Sequence, residues 1–307
     1  MTLNKEKLDI AFVVLHYQTL NDTRECVQSI LENIDTEDFL IVIVDNASPN
    51  DSGNVLIKEY NNQEHVKVVR NINNLGFANG NNVGIFYLRD IYTIDYIVLL
   101  NNDVRLVNNS WKKILYKKYK QYHFHVLGPN IVDIMGNHTA NPDERQIHDI
   151  KDLKKLILNK KIQYLTNCLY IDSIISFLKQ RIKRIIGYKV RYEKAIEHDV
   201  LDVQLEGSCL VLSRDYFEYM PGLYDGTFLY FEEAIMRYIA DKYSMQIMYT
   251  PELTVIHKHG SSTKNDIKSE KKRKQFYLIH SMKSCRYLLN MMEKDINSKR
   301  GSNVKKK

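Results

Sequence analysis

Glu232 and Glu233 stand side by side where the apolar TFLYF gives way to a helical pattern. A pair of carboxylates at such a point can take a proton from a hydroxyl, or can simply complement a helix dipole. A further carboxylate, Asp103, closes Asn101-Asn102-Asp103, where the run DYIVLL stops. Placed there it can hold a hard divalent cation. Asp45 ends LIVIVD and either opens an Asx turn into NASPND or offers its carboxylate to a ligand. Residues 74–84, NLGFANGNNVG, contain three glycines and no lysine or arginine. Their glycines let backbone approach a ligand closely, and their asparagines can donate hydrogen bonds to hydroxyl or phosphate oxygens. The alternative is a plain loop entering a helix.

The elements that must position these groups follow from hydrophobic period. Residues 9–17, 40–45, 66–69 and 95–100 are short apolar runs. Helical spacing at Cys26, Val27, Ile30, Leu31 and Ile34, and again over 55–60 and up to Leu88, separates them. Continuous apolar strands alternating with helices imply a parallel sheet covered on both faces, with ligands beyond the carboxyl ends of its strands. The strands end in His16–Tyr17, Asp45–Asn46, Asn71–Asn74 and Asn101–Asp103. One such cluster is an ordinary capped loop, but four on one sheet edge point to a site. Further on, a helix is expected over 105–122 and strands over 125–133, 205–213, 246–250 and from 252. A long helix is expected over 268–293.

Several chemistries are excluded by what is missing. No GxGxxG follows the first strand, no GxxxxGK[ST] occurs, and no GxSxG is present. Cys26, Cys168, Cys209 and Cys285 are scattered without a CxxC pair, which suits buried thiols in a reducing compartment. With 44% hydrophobic and 26% charged residues the chain is ordinary globular material. No apolar run approaches the roughly 20 residues of a membrane helix, and the N-terminus lacks a secretory signal, so a cytoplasmic location is expected. The net charge of +7 is concentrated in residues 151–194 and 268–307.

Taken together, LDIAFVVLHYQTLNDTRECVQSI, IVIVDNASPNDS, NNLGFANGNNVGI and YIVLLNNDVRL resemble the family-2 glycosyltransferases of the GT-A fold, nearest to the rhamnosyltransferase-like, capsular-polysaccharide branch. GLYDGTFLYFEEAIMRYIADKYSMQIMYTPELTVIHKHGSS resembles the same family's acceptor half. The resemblance implies an α/β, Rossmann-like, mixed and mostly parallel sheet flanked by helices. It implies a nucleotide-sugar half (1–105), an acceptor half (106–267) carrying a basic helical insertion at about 143–200, and a C-terminal helix and tail (268–307). It places His16, Tyr17, Asp45, Ser48, Asn74, Gly76, Asn82, Asn101, Asn102 and Asp103 on the donor, with Asp45 on a pyrimidine N–H. Asp103 and His257 become ligands of Mn2+ or Mg2+, although Asn101 stands where the family's first acidic metal residue is expected. Glu233 becomes the general base, with Glu232 beside it.

The resemblance implies inverting transfer from a UDP- or dTDP-sugar to a growing cell-surface or capsular glycan, the acceptor being a glycan or a polyprenyl-pyrophosphate-linked sugar. Lys151, Lys154, Lys155, Lys160, Lys161, Lys179, Arg181, Lys183 and Arg184 alternate with apolar residues, a pattern suited to peripheral contact with the inner face of an anionic membrane. Two rivals remain. A sugar-nucleotide nucleotidyltransferase wants an arginine-containing glycine loop after the first strand, which HYQTLND is not. A nucleic-acid-binding protein wants aromatics interleaved among the basic residues on a compact motif. Oligomeric state is left open.

Overall fold

The computed structural model describes residues 5–138, 141–143, 147, 149–170, 195–258 and 267–304. Lys179, Arg181, Lys183 and Arg184, like His259, lie outside them. The first part of the chain is a strict strand–helix alternation: β1 (Glu6–His16), α1 (Leu20–Asn33), β2 (Phe39–Asp45), α2 (Ser52–Tyr60), β3 (Val66–Arg70), α3 (Gly76–Ile91) and β4 (Tyr92–Asn101). There follow β5 (Val104–Leu106), α4 (Trp111–Tyr122), β6 (Val126–Val132), α5 (Ile150–Cys168), β7 (Val200–Leu201), β8 (Cys209–Ser213), α6 (Glu232–Tyr243), β9 (Ile247–His257) and α7 (Glu270–Val304).

Among the described residues, nine strands join one mixed, mostly parallel sheet in the order β3-β2-β1-β4-β8-β6-β9-β5, with β7 pairing to β9. β1 shows why the apolar runs are continuous. Ile10, Phe12 and Val14 face one core and Ala11 and Val13 the other, all fully buried. Both faces are covered by helices, as parallel sheets require. The same register that packs these side chains aligns the strand ends. His16 stands opposite Asp45, Leu15 opposite Asn101, and Asp45 opposite Arg70. The four expected polar clusters therefore do share one edge.

Three expectations change in detail. The helix expected over 105–122 begins at Trp111, because residues 104–106 are taken by β5, which pairs antiparallel with β9. The strand expected over 205–213 forms its ladder only from Cys209. The two strands expected on either side of Pro251 are one strand, Ile247–His257. Its register to β6 shifts between Thr250 and Thr254, so Pro251 falls in a bulge where its missing N–H costs no ladder bond. Cys26, Cys209 and Cys285 are buried and unpaired, and burial pushes their thiols up.

Helix α3 lies very close to the sheet. A Cβ on Gly84 would stand 2.6 Å from Val13 Cγ1 and 3.0 Å from Val44 Cγ2. Gly84→Val is expected to force these layers apart and lower unfolding stability by about 1–3 kcal/mol in urea denaturation.

Candidate functional site

A cavity of about 390 Å3 opens at the aligned strand ends. Tyr17, Asn46, Asn74, Gly76 and Asn101–Asp103 line it from the parallel half of the sheet. Glu206–Ser208, Phe228–Tyr230, Glu232, Glu233 and His257 line it from the later elements, and Ile267 and Phe276 from the C-terminal segment.

At one wall, the turn between β4 and β5 lies beside the end of β9, Val104 standing opposite His257. Asp103 and His257 are buried, with His257 Nε2 3.2 Å from Asp103 Oδ1. His257 Nδ1 is 3.1 Å from Glu206 Oε1. Burial by itself would lower the imidazole pKa, but hydrogen bonds to Asp103 and Glu206 outweigh it and raise the value to about 9. Each ring nitrogen thus faces a carboxylate oxygen, Nε2 that of Asp103 and Nδ1 that of Glu206. Glu206 was not singled out from sequence, since its role depends on a partner 51 positions away.

At another wall, Glu232 and Glu233 open α6, as expected. Thr227 Oγ1 donates to Glu232 Oε1 at 3.2 Å, and the Gly207 N–H donates to Glu233 Oε1 at 3.2 Å. Burial and the neighbouring Glu233 charge raise the Glu232 pKa to about 8, and burial raises that of Glu233. The helix is entered through Tyr230 and Phe231, with φ of 67° and 79°. Left-handed backbone costs non-glycine residues about 1–3 kcal/mol each. The turn sets the Tyr230 ring against α7, 4.9 Å between centroids from Tyr277.

Asn46 organises the loops between these walls. Its amide donates to Asn74 Oδ1 and the Gly76 carbonyl, and its oxygen accepts from Asn71 and the Leu75 N–H. Gly76 has φ of +79°, and a Cβ there would lie 2.0 Å from the Phe228 carbonyl oxygen. Asn74 and Gly76 thus shape the cavity. Asn102 also lines it, while its side-chain amide donates to Thr19 and Thr23.

Other residues expected on a ligand stand elsewhere. His16 does not line the cavity. It is fully buried, with Nδ1 2.6 Å from Thr23 Oγ1 and Nε2 2.8 Å from Ser52 Oγ. Asn82 is a bracket between α3 and the following chain: it donates to the Leu223 carbonyl and accepts from the Leu223 N–H. Asp45 is fully buried, accepts from the Ser48 N–H through Oδ1, and has Arg70 Nε 3.2 Å from Oδ2. Ser48 and Arg70 border a neighbouring shallow recess with Ala47, Pro49, Asn71 and Ile72. Arg70 escaped the sequence reading because only strand register sets it opposite Asp45.

Residues 11–182, more than half of the chain, match the model of glycosyl transferase family 2. The chain belongs to that family. A relative in Haloferax volcanii, the low-salt glycan biosynthesis hexosyltransferase Agl10, is 20% identical over 252 residues, which are 81% of this chain and 67% of that protein. GalNAc-T7, solved with UDP, GalNAc and Mn2+, superposes with a TM-score of 0.54 at 14% identity, covering 82% of this chain and 43% of that one. S. aureus TarS 1–349 gives 0.50 at 13% identity, covering 84% and 62%. The family-2 chain thus spans less than two thirds of either solved chain, and at these identities the likeness shows the shared GT-A fold.

The buried His16 of this glycosyltransferase gives a pH signature. Burial lowers its pKa from 6.5 to about 4, against a smaller upward pull from Asp45. The unfolded chain binds the proton more readily, so this contribution is complete above pH 6.5 and is lost as pH falls toward 4. Denaturant melts are expected to lose about 2–4 kcal/mol across that window, and His16→Asn to flatten it.

Proposed function

We propose that the protein is an inverting glycosyltransferase that moves a sugar from a UDP- or dTDP-linked donor to a hydroxyl of a growing cell-surface glycan, carried on a polyprenyl pyrophosphate. The observation that carries this reading is the meeting of two unlike groups in one cavity: Asp103 with His257, and Glu232 with Glu233. The hexosyltransferase name of the Haloferax relative and the UDP and Mn2+ held by GalNAc-T7 support it.

Among the described residues no group of three or more His, Cys, Asp or Glu is arranged to hold a metal. Asp103 and His257 would nevertheless hold such a cation, since a carboxylate and an imidazole that has given up its Nε2 proton suit Mn2+ and Glu206 orients the ring. When bound, such a cation would neutralise charge on the departing diphosphate. In the proposed reaction Glu233 accepts the proton of the acceptor hydroxyl as its oxygen attacks the anomeric carbon. The bond from that carbon to the diphosphate oxygen breaks, its electron pair leaving with the nucleoside diphosphate. Glu232 supports the acceptor. Asn101 and the Asn74–Gly76 turn contact the donor, while Tyr17 faces its base. Asp45 reaches a pyrimidine N–H only if Arg70 shares or releases its carboxylate.

A screen of nucleotide sugars for release of free nucleotide, with Mn2+ and with EDTA, tests the reading. Turnover of a UDP- or dTDP-sugar that stops with EDTA and in Asp103→Ala is expected; a preference for GDP-sugars would overturn the donor assignment. Glu233→Gln is expected to keep nucleotide affinity but lose transfer by about two orders of magnitude or more. Should Glu232→Gln be the inactive variant instead, the two roles exchange.

A further inference from the structure

Helix α5 has two apolar faces, and the core uses one. Leu153 is buried in the core, with Leu156 and Ile157 packed beside it. Lys160, expected on a basic outer face, is instead buried on this inner side, where its Nζ is 3.2 Å from the Tyr277 hydroxyl and 4.6 Å from the ring centroid. This face is complete: it joins α5 to α7 and to the sheet.

The opposite face carries Leu158, Ile162, Leu165 and Leu169, between 50% and 68% exposed. Their spacing of four, three and four puts them in one stripe along the helix. At about 100° per residue, Lys154, Lys155 and Lys161 fall within about 70° of the stripe's centre, and Lys151 continues it at the N-terminal end. All four lysines are exposed, and Lys154 Nζ also lies 2.9 Å from Glu293 Oε1 of α7. The one acid of the helix, Asp152, lies in its first turn and points well to the side of the stripe. Beyond the stripe, the exposed Tyr170 lies under Lys271, whose Nζ is 3.1 Å from the ring centroid.

We propose that this face of α5 docks on an anionic lipid bilayer, Leu158, Ile162, Leu165 and Leu169 entering the acyl boundary and Lys151, Lys155 and Lys161 lying at the phosphates. The charge decides between occupants. A second copy of the chain would set two lysine-bordered stripes against each other, whereas anionic headgroups complement both the cations and the apolar row. Among the described residues no helix is long and apolar enough to cross a membrane, so attachment through this face is by lying on the surface. The inner side of α5 grips α7 at Tyr277, and Phe276 of α7 lines the cavity. Docking therefore brings the α7 wall of the cavity within one helix of the lipid.

The test is flotation of the full chain with vesicles of phosphatidylcholine containing about a third phosphatidylglycerol, and with phosphatidylcholine alone. Binding to the anionic vesicles only, weakened by salt, is expected. Leu158→Ser with Leu165→Ser should reduce partition roughly tenfold or more, and Lys151→Gln, Lys155→Gln and Lys161→Gln about fivefold per charge. The positions are exposed, so unchanged thermal midpoints will show that the variants are folded. No binding to anionic vesicles at low ionic strength overturns the proposal. So does binding that is indifferent to the stripe variants, or a concentration-dependent dimer that the same variants abolish without any vesicle binding.

Discussion

The cavity depends on one polar cluster, the His257 ring between Asp103 and Glu206. Each of these groups would be costly to bury alone, and each is tolerable because the others are within hydrogen-bond distance. The three belong to the end of β4, the end of β9 and the segment before β8, so the cluster closes the seam between the early parallel strands and the later ones. Removing one member strands the charge of another, a larger penalty than the pair's net attraction. The same groups that fix the seam are those whose chemistry the cavity offers.

Much of this was legible before any coordinates. The early strands are buried on both faces and so read as unbroken apolar runs, and their polar endings marked the site edge. Glu232 and Glu233 were legible because helix period begins there. What stayed hidden depends on partners far away in sequence. His16 and Asp45 both follow apolar strands, yet His16 turns into a buried hydroxyl cage and Asp45 faces Arg70. Asn82 sits among asparagines that shape the cavity but bonds a backbone 141 positions on. Phe276 enters the cavity from a helix whose sequence shows only amphipathic repetition. Pro251 looked like a boundary because a bulge in β6–β9 pairing leaves no mark in one strand alone.

Helix α5 illustrates a related limit. Its lysines and apolar residues are interleaved, so composition gave a basic amphipathic helix but not which lysine faces inward. Lys160 is drawn in by the Tyr277 ring and hydroxyl, an interaction available only once α7 is alongside.

The turn through Tyr230 and Phe231 carries an evolutionary consequence. Two successive bulky residues occupy backbone that glycine would adopt without strain, directly before the paired glutamates. A library of variants ranked by heat resistance alone would therefore enrich glycine at these two positions. Ranked by turnover, the same library would keep the Tyr230 ring that lines the cavity and leans on α7. The two rankings would part company here, at the point where the chain holds its shape at the expense of its ease.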